Sequence, residues 1–139
     1  MQAKLRHIAL SVPDIEVAAQ FYEKTFGFKR MKKVKTEKYG HAIGLSDGVV
    51  NLTLLYFPTD ESAGDERGKD FIGIHHIGFI VDNIEEASKE VVKHGGHLKN
   101  ANEGSDTEKH EQEGFELKCR DPNGIVFDVS HGWIGTQTN

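Results

Sequence analysis

Two histidines lead two similar stretches of this chain. "HIALSVPDI" begins at His7 and "HIGFIVDNI" begins at His76, 69 positions later in a chain of 139 residues. A neutral imidazole binds divalent metal ions and transfers protons near neutral pH. A single histidine at the start of a strand is an ordinary structural or surface residue. Two histidines that recur at matched positions predict a shared site.

The similarity continues beyond the two strands and indicates an internal repeat. When residues 7–27 are aligned without gaps with residues 76–96, eight of the 21 pairs are identical, Val12 with Val81 among them. Self-similarity with a period of half the chain predicts a duplicated module, and two copies are too few for a solenoid.

Each copy is typical of a strand, a helix and three further strands. The segments led by His7 and His76 alternate in the manner of half-buried strands. Asp14 and Asn83 are predicted helix N-caps, because their side chains can accept hydrogen bonds from the first helical turn. The further strands are predicted at about 30–39, 41–45 and 49–57 in the first copy, and 97–100, 114–120 and 125–131 in the second.

A chain of this length is most simply one domain over residues 1–139. Its predicted parts are a module at about 4–57, a linker at 58–71, a second module at about 72–131 and a C-terminal tail at 132–139. The polar segment 101–113 inside the second module is either a solvated excursion or a lid over a site.

The composition excludes several classes of partner. The formal net charge is −5, which argues against nucleic acid and anionic membrane surfaces, because both need clustered Lys and Arg. No apolar run approaches the ~20 residues that span a bilayer. The single Cys119 can form no internal disulfide, and the N-terminus lacks an apolar signal core. We therefore expect a cytoplasmic protein without a membrane or nucleic-acid partner.

Paired βαβββ modules, each led by the pattern H-I-small-apolar-x-V, resemble the vicinal oxygen chelate superfamily. The second module also closes with a "DPNG" turn (Asp121–Gly124) and a strand that carries an acid. The similarity runs from about Lys4 to His131. This superfamily includes glyoxalase I, methylmalonyl-CoA epimerase, extradiol dioxygenases, and fosfomycin and bleomycin resistance proteins. The resemblance implies an α+β fold whose two modules form a curved, cup-shaped, eight-stranded mixed sheet with helices outside.

The resemblance also implies a metal site inside the cup. The family's ligands come from the first and last strands of each module, and the matching residues here are His7, His76 and Asp128. Strand alternation agrees, because it places Asp128 opposite the bulky Phe127 and Val129. Two histidines and one carboxylate with open positions suit a divalent ion, namely Fe, Mn, Ni or Zn.

The fourth family position departs from the usual pattern. It falls on Thr53, or on Asn51 if the register shifts by two residues. Both are weak ligands, so Thr53 is not expected to bind the metal. This departure argues against a direct assignment as a glyoxalase I or an epimerase and is closer to the extradiol dioxygenase arrangement. Candidates for proton transfer are Tyr56 and His131.

Three functional hypotheses follow. The first is a metal-dependent lyase, isomerase or dioxygenase that chelates adjacent oxygens of a small-molecule substrate and stabilises an enolate, oxyanion or catecholate. The second is a metal-free protein that binds a small molecule or antibiotic, as bleomycin resistance proteins do. The third is an interaction scaffold with a vestigial cup. By resemblance we expect a homodimer, with modules paired either within or across chains.

Overall fold

The computed structural model describes residues 1–36 and 38–138. The strands in these ranges are β1 (Lys4–Ser11), β2 (Lys29–Thr36), β3 (Gly40–Ser46), β4 (Asn51–Tyr56), β5 (Gly73–Ile80), β6 (His97–Leu98), β7 (Leu117–Arg120) and β8 (Val126–Ser130). The helices are α1 (Ile15–Phe26), α2 (Asp60–Ala63), α3 (Ile84–Lys93) and α4 (Thr107–His110), with a 3-10 helix at Ala101–Ser105. The longest, α1, has 12 residues, so no helix in the described ranges has the length and apolar character to cross a bilayer.

The described strands form one open, mixed sheet with the order β2-β3-β4-β1-β5-β8-β7-β6. Strands β1 to β4 with helix α1 follow the β-α-β-β-β order, and β5 to β8 with α3 repeat it, apart from two short helical turns before β7. The predicted fold class, an α+β fold of two βαβββ modules with an eight-stranded mixed sheet, is confirmed. The cup-like curvature of the sheet stays a prediction.

The chain forms two compact units. The first unit comprises His7–His75 and Ile134–Gln137, and the second comprises His76–Trp133 together with Met1–Arg6 and Thr138. Each unit has a hydrophobic cluster of its own, built around one long helix.

In the first unit, helix α1 packs its apolar stripe against the sheet. Asp14 caps the helix by accepting a hydrogen bond from the backbone N–H of Val17, and Gly27 ends it in the left-handed conformation at φ +73°. The buried cluster comprises Ile15 and Ala19 of α1 with Ile43, Leu45, Leu52 and Leu54 of β3 and β4. Ile8 of β1 packs against this cluster, so alternation places His7 on the opposite face of the sheet.

In the second unit, helix α3 occupies the equivalent position. Asn83 caps it by accepting a hydrogen bond from the backbone N–H of Glu86 at 2.9 Å. The buried cluster comprises Val81, Ile84 and Ala87 with Leu117 and Cys119 of β7 and Val129 of β8. Strand β8 pairs parallel to β5 and antiparallel to β7. The two predicted N-caps, Asp14 and Asn83, are therefore confirmed.

Two polar segments that were predicted as irregular contain short helices. The linker holds α2, and residues 101–113 hold the 3-10 helix and α4. Gly104 and His110 of the latter segment are buried, and Ser88 of α3 donates a hydrogen bond to the carbonyl of Gly104 at 3.0 Å. The interpretation of this segment as a solvated excursion is wrong for these residues, because Gly104 is docked on α3 and His110 packs against the ring of Phe115.

Strands of the second module are shorter than predicted. β6 covers only His97–Leu98, and β7 begins at Leu117 rather than at position 114. The N–H of Phe115 donates to the carbonyl of Gln112, so the chain still turns where the alternating pattern predicted a strand.

Candidate metal centre

Strand β8 places Asp128 and Val129 on opposite faces of the sheet. Val129 packs with the α3 residues Ile84 and Ala87. Asp128 is fully buried and pairs in register with Lys118 of β7. The predicted orientation of Asp128 away from the helix is confirmed. Because a buried carboxylate is unfavourable without compensation, its partners decide what the site can do.

Two side chains hold Asp128 Oδ2. Nζ of Lys118 donates to it at 2.8 Å, and Nε2 of His76 lies 3.0 Å from it. Because an ionised carboxylate only accepts, Nε2 of His76 carries a proton in this contact. The other oxygen, Oδ1, is buried and has no hydrogen-bond partner among the described residues. Burial raises the pKa of Asp128, but the Lys118 ammonium and His76 outweigh this effect and hold that pKa below its usual range.

Glu116 lies beside this pair, directly before β7. It is half-buried, and Nε1 of Trp133 donates to its Oε2 at 3.0 Å. Removal from water raises the pKa of Glu116 to about 7, and the negative charge of Asp128 adds to the rise, whereas Lys118 lowers it. Two carboxyl groups, an ammonium and an imidazole therefore meet within the second unit.

The donor atoms of this cluster fit a divalent cation. His76, Glu116 and Asp128 each place one ligand atom within 4.8 Å of the others. One imidazole nitrogen and two carboxylate oxygens are ligands that Fe, Mn and Zn accept. A cation here would satisfy the orphaned Oδ1 of Asp128, displace the Nε2 proton of His76 and compete with Lys118. His76, Glu116 and Asp128 are therefore candidate metal ligands.

In the first unit, His7 has different partners. It is 2% exposed, and its Nδ1 lies 2.7 Å from Oδ1 of Asn51. Nδ2 of Asn51 donates to the carbonyl of Ile134 at 3.4 Å, which sets the orientation of the amide. An amide oxygen accepts, so Nδ1 of His7 carries the proton and Nε2 carries the lone pair. This is the tautomer in which Nε2 of a histidine binds a metal.

The strand registers identify the counterpart of Asp128 in the first module. In β1 and β4, Ala9 pairs with Thr53, and in β5 and β8, Gly78 pairs with Asp128. Ala9 and Gly78 are equivalent in the repeat, so Thr53 is the counterpart of Asp128. Oγ1 of Thr53 donates to Oδ1 of Asn51 at 2.7 Å. The first module therefore presents a hydroxyl where the second presents a carboxylate.

The two candidates for proton transfer have other contacts. The ring of Tyr56, at the end of β4, packs on the ring of His41 with centroids 5.5 Å apart. Nδ1 of His131 hydrogen-bonds the carbonyl of Val81 at 3.2 Å, and its Nε2 lies 4.0 Å from a carboxylate oxygen of Glu111. Within its own unit, His131 is thus held by the backbone carbonyl of Val81.

Sequence reasoning missed Glu116 and Lys118. The stretch "FELKC" alternates Phe115, Leu117 and Cys119 with these two charged residues. That alternation already predicts Glu116 and Lys118 on the face opposite the apolar side chains. What it does not provide is the pairing of Lys118 with Asp128 across β7 and β8.

The fold and the candidate ligands define a class of protein: a duplicated βαβββ chain with a buried His/Glu/Asp cluster. Residues 4–129 match the sequence profile of the Glyoxalase/Bleomycin resistance protein/Dioxygenase superfamily. The chain belongs to this superfamily, and the resemblance stated from the sequence is confirmed.

Named relatives come from several organisms. The human mitochondrial methylmalonyl-CoA epimerase is 32% identical over 93 residues, which are 65% of this chain and 53% of the relative. A probable trivalent organoarsenical cleaving enzyme of Bacillus subtilis (strain 168) is 36% identical over 86 residues, 62% of this chain and 51% of that protein. Lactoylglutathione lyase GLX1 of Arabidopsis thaliana is 26% identical over 130 residues, 88% of this chain and 42% of the lyase. The chain thus spans about half the length of the curated relatives it matches.

Solved structures share the fold over nearly the whole chain. A methylmalonyl-CoA epimerase in complex with methylmalonyl-CoA and NH4+ superposes with a TM-score of 0.74 at 17% identity, covering 99% of this chain and 100% of that one. A Streptomyces coelicolor methylmalonyl-CoA epimerase variant in complex with 2-nitronate-propionyl-CoA has a TM-score of 0.70 at 19% identity, covering 91% of this chain and 92% of that one. At these identities the likeness establishes the fold alone.

Proposed function

We propose that this chain is a divalent-metal-dependent enzyme that binds two adjacent oxygens of a small-molecule substrate and stabilises the negative charge that develops on them. One observation carries the proposal: His76, Glu116 and Asp128 bring their ligand atoms within 4.8 Å of one another, around a carboxylate that is fully buried. Buried acids gathered in this way need a cation or protons to be stable.

The proposed protein ligands are His7, His76 and Asp128. His7 is the repeat counterpart of His76, and it is buried with its Nδ1 engaged by Asn51. That hydrogen bond is of the kind that orients a metal-binding histidine. Two imidazoles and one carboxylate would leave open positions for substrate and water, and they suit Fe, Mn, Ni or Zn. Thr53 is proposed to be no ligand, because a neutral hydroxyl binds divalent cations weakly.

A bound divalent ion would supply Lewis-acid stabilisation of an enolate or related oxyanion. This chain's own residues would hold and shield that centre: Asp128 is excluded from water, and Trp133 fixes the carboxylate of Glu116. Two relatives are named as an epimerase and a lyase, which favours isomerase or lyase chemistry over dioxygenase chemistry. Tyr56 and His131 remain the proposed candidates for proton transfer.

Metal analysis of the chain, produced without a polyhistidine tag, tests this proposal. We expect about one Fe, Mn, Ni or Zn per chain and its loss in His76→Ala and in His7→Ala. His94→Ala is the matched control, because His94 is exposed and pairs with Glu90 one helical turn away. A folded protein that takes up no metal under any loading condition would overturn the proposal.

A second candidate function is metal-free binding of a small molecule. The observation in its favour is the Lys118 ammonium, which already supplies a positive charge to Asp128 at 2.8 Å. On this alternative, the metal-free chain binds small aromatic or peptide-like compounds, and added metal changes nothing. The homodimer and the cytoplasmic location also stay predictions; light scattering of the purified chain checks the first.

A further inference from the structure

We propose that Glu116 is a fourth protein ligand of the metal, supplied by the second module in place of a side chain from β4 of the first. This inference rests on the proposed metal function and adds to it a residue from the segment that leads into β7. It would explain how the chain keeps a carboxylate-rich centre although its β4 position is neutral.

The β4 position offers no effective ligand. Thr53 occupies the register of Asp128, as the pairings of Ala9 with Thr53 and Gly78 with Asp128 demonstrate. Its hydroxyl is a donor to Asn51, and a neutral hydroxyl binds divalent cations weakly. A metal centre in this chain would therefore need a donor from another strand.

Glu116 is in the right place to be that donor. It precedes β7 and shares the alternation of Lys118, whose register partner is Asp128. Its carboxylate comes within 4.8 Å of the ligand atoms of His76 and Asp128. Because a glutamate side chain is one methylene longer than that of Asp128, Glu116 extends the reach of the donor set.

Trp133 holds Glu116 in an orientation suited to binding a cation. Its indole Nε1 donates to Oε2 at 3.0 Å. Hydrogen bonds of this type fix the carboxylates that bind metals and raise metal affinity. The carboxyl of Glu116 also hydrogen-bonds Asp128, a contact that a cation shared by the two carboxylates would replace.

The local charges also favour a divalent cation. Glu116 and Asp128 bring two carboxylates together, and Lys118 is a cation that acts on both. When Glu116 is ionised, one ammonium leaves one negative charge of this trio uncompensated. A divalent ion that binds both carboxylates removes this imbalance.

Titration of the untagged, metal-free chain with Co2+ tests the inference, because the visible d–d bands of Co2+ report its coordination independently of enzyme activity. We expect Glu116→Gln to lower Co2+ affinity on the order of 100-fold, at or above the effect of an outer-sphere partner, and to change the d–d bands. Glu113→Gln, an exposed acid in the same segment, removes the same charge and should leave both readouts unchanged. Thr53→Ala should do likewise.

The outcomes separate this inference from the proposed function. If the wild-type chain binds no Co2+, the metal function fails and the inference falls with it. If wild type binds and Glu116→Gln keeps the affinity or the d–d bands, Glu116 is no ligand while the metal function stands. If Glu116→Gln does not fold, Glu116→Asp is the substitute, because it keeps the charge but draws the carboxylate oxygens back by one methylene. Altered d–d bands with weaker Co2+ binding in this variant support the inference, and unaltered bands refute it.

Discussion

The two modules keep the same strand and helix but give their leading histidines different partners. Nδ1 of His7 is bound by the neutral amide of Asn51, whereas Nε2 of His76 is bound by the carboxylate of Asp128. In its neutral form the first imidazole carries its lone pair on Nε2, whereas the second must release a proton before Nε2 can bind a metal. Duplication has thus preserved the backbone and the caps while concentrating charge in the second module.

The largest expected effect contrasts Asp128 with its counterpart Thr53. Asp128→Asn should weaken metal binding by more than about 100-fold, because it removes a charged ligand. Thr53→Ala should change the affinity by less than about threefold. Calorimetric titration with Mn2+ or Zn2+ measures both. Equal effects of the two substitutions would show that the modules contribute symmetrically.

Lys118 offers a second way to separate the modules, because it places an ammonium 2.8 Å from the carboxylate of Asp128 in the second. Without metal, Lys118→Met should destabilise the fold by about 2–3 kcal/mol, since the buried Asp128 loses a charged partner. With saturating divalent metal the loss should shrink, because the ion takes over that role. Thermal melts with and without metal measure this difference. Lys89→Met, which breaks an exposed pair with Glu85, should lower stability by less than about 0.5 kcal/mol in both conditions.

Asn51→Ala probes the neutral histidine of the first module. Loss of the acceptor for His7 Nδ1 should lower metal affinity about tenfold, as removal of an outer-sphere hydrogen bond does. The same titration measures the change. An unaltered affinity in a folded Asn51→Ala variant would show that this hydrogen bond does not contribute to metal binding.

The pH dependence of the metal-free chain should report the charge of the second module. The pKa of Glu116 is raised to about 7, so the folded state holds a proton that the unfolded state releases near pH 4.5. The stability that Glu116 contributes is therefore present at low pH and is lost as pH rises from about 4.5 to 7. Asp128 has a lowered pKa and titrates below this window. Urea unfolding from pH 5 to 8 should show a loss on the order of 1–2 kcal/mol that disappears in Glu116→Gln and persists in Glu113→Gln.

The smallest expected effect concerns what the modules share. Asp14 and Asn83 cap α1 and α3 through equivalent hydrogen bonds. Asp14→Ala and Asn83→Ala should therefore each lower the free energy of unfolding by about 1 kcal/mol. Urea unfolding of both variants measures the two changes in the free energy of unfolding. A difference well above that value would mean that the helices, as well as the polar partners, have diverged since duplication.

Local features of the sequence predicted most of the fold. The caps at Asp14 and Asn83 and the orientation of Asp128 depend on spacing within a few residues, and all three are confirmed. The segment 101–113 was predicted less well, because its short helices are held by tertiary contacts such as that of Ser88 with Gly104. The local sequence pattern of such a segment carries little information about the part of the fold against which it packs.

The candidate site was predictable in part, for a related reason. Strand alternation and the repeat identified His7, His76 and Asp128 as one set. That these three residues bind a metal ion stays a prediction. Lys118 reaches Asp128 through the register of β7 on β8, and Trp133 reaches Glu116 across 17 positions of sequence. Such pairings depend on how distant segments meet, which a single sequence does not encode in any short pattern.

Trp133 gives this protein a built-in optical signal. It is the single tryptophan of the chain, and its indole N–H is hydrogen-bonded to Glu116. Its emission should therefore change with the ionisation of that carboxylate and with any ion or ligand that binds it. Events at the centre can be followed by intrinsic fluorescence, without a label and without knowledge of the substrate.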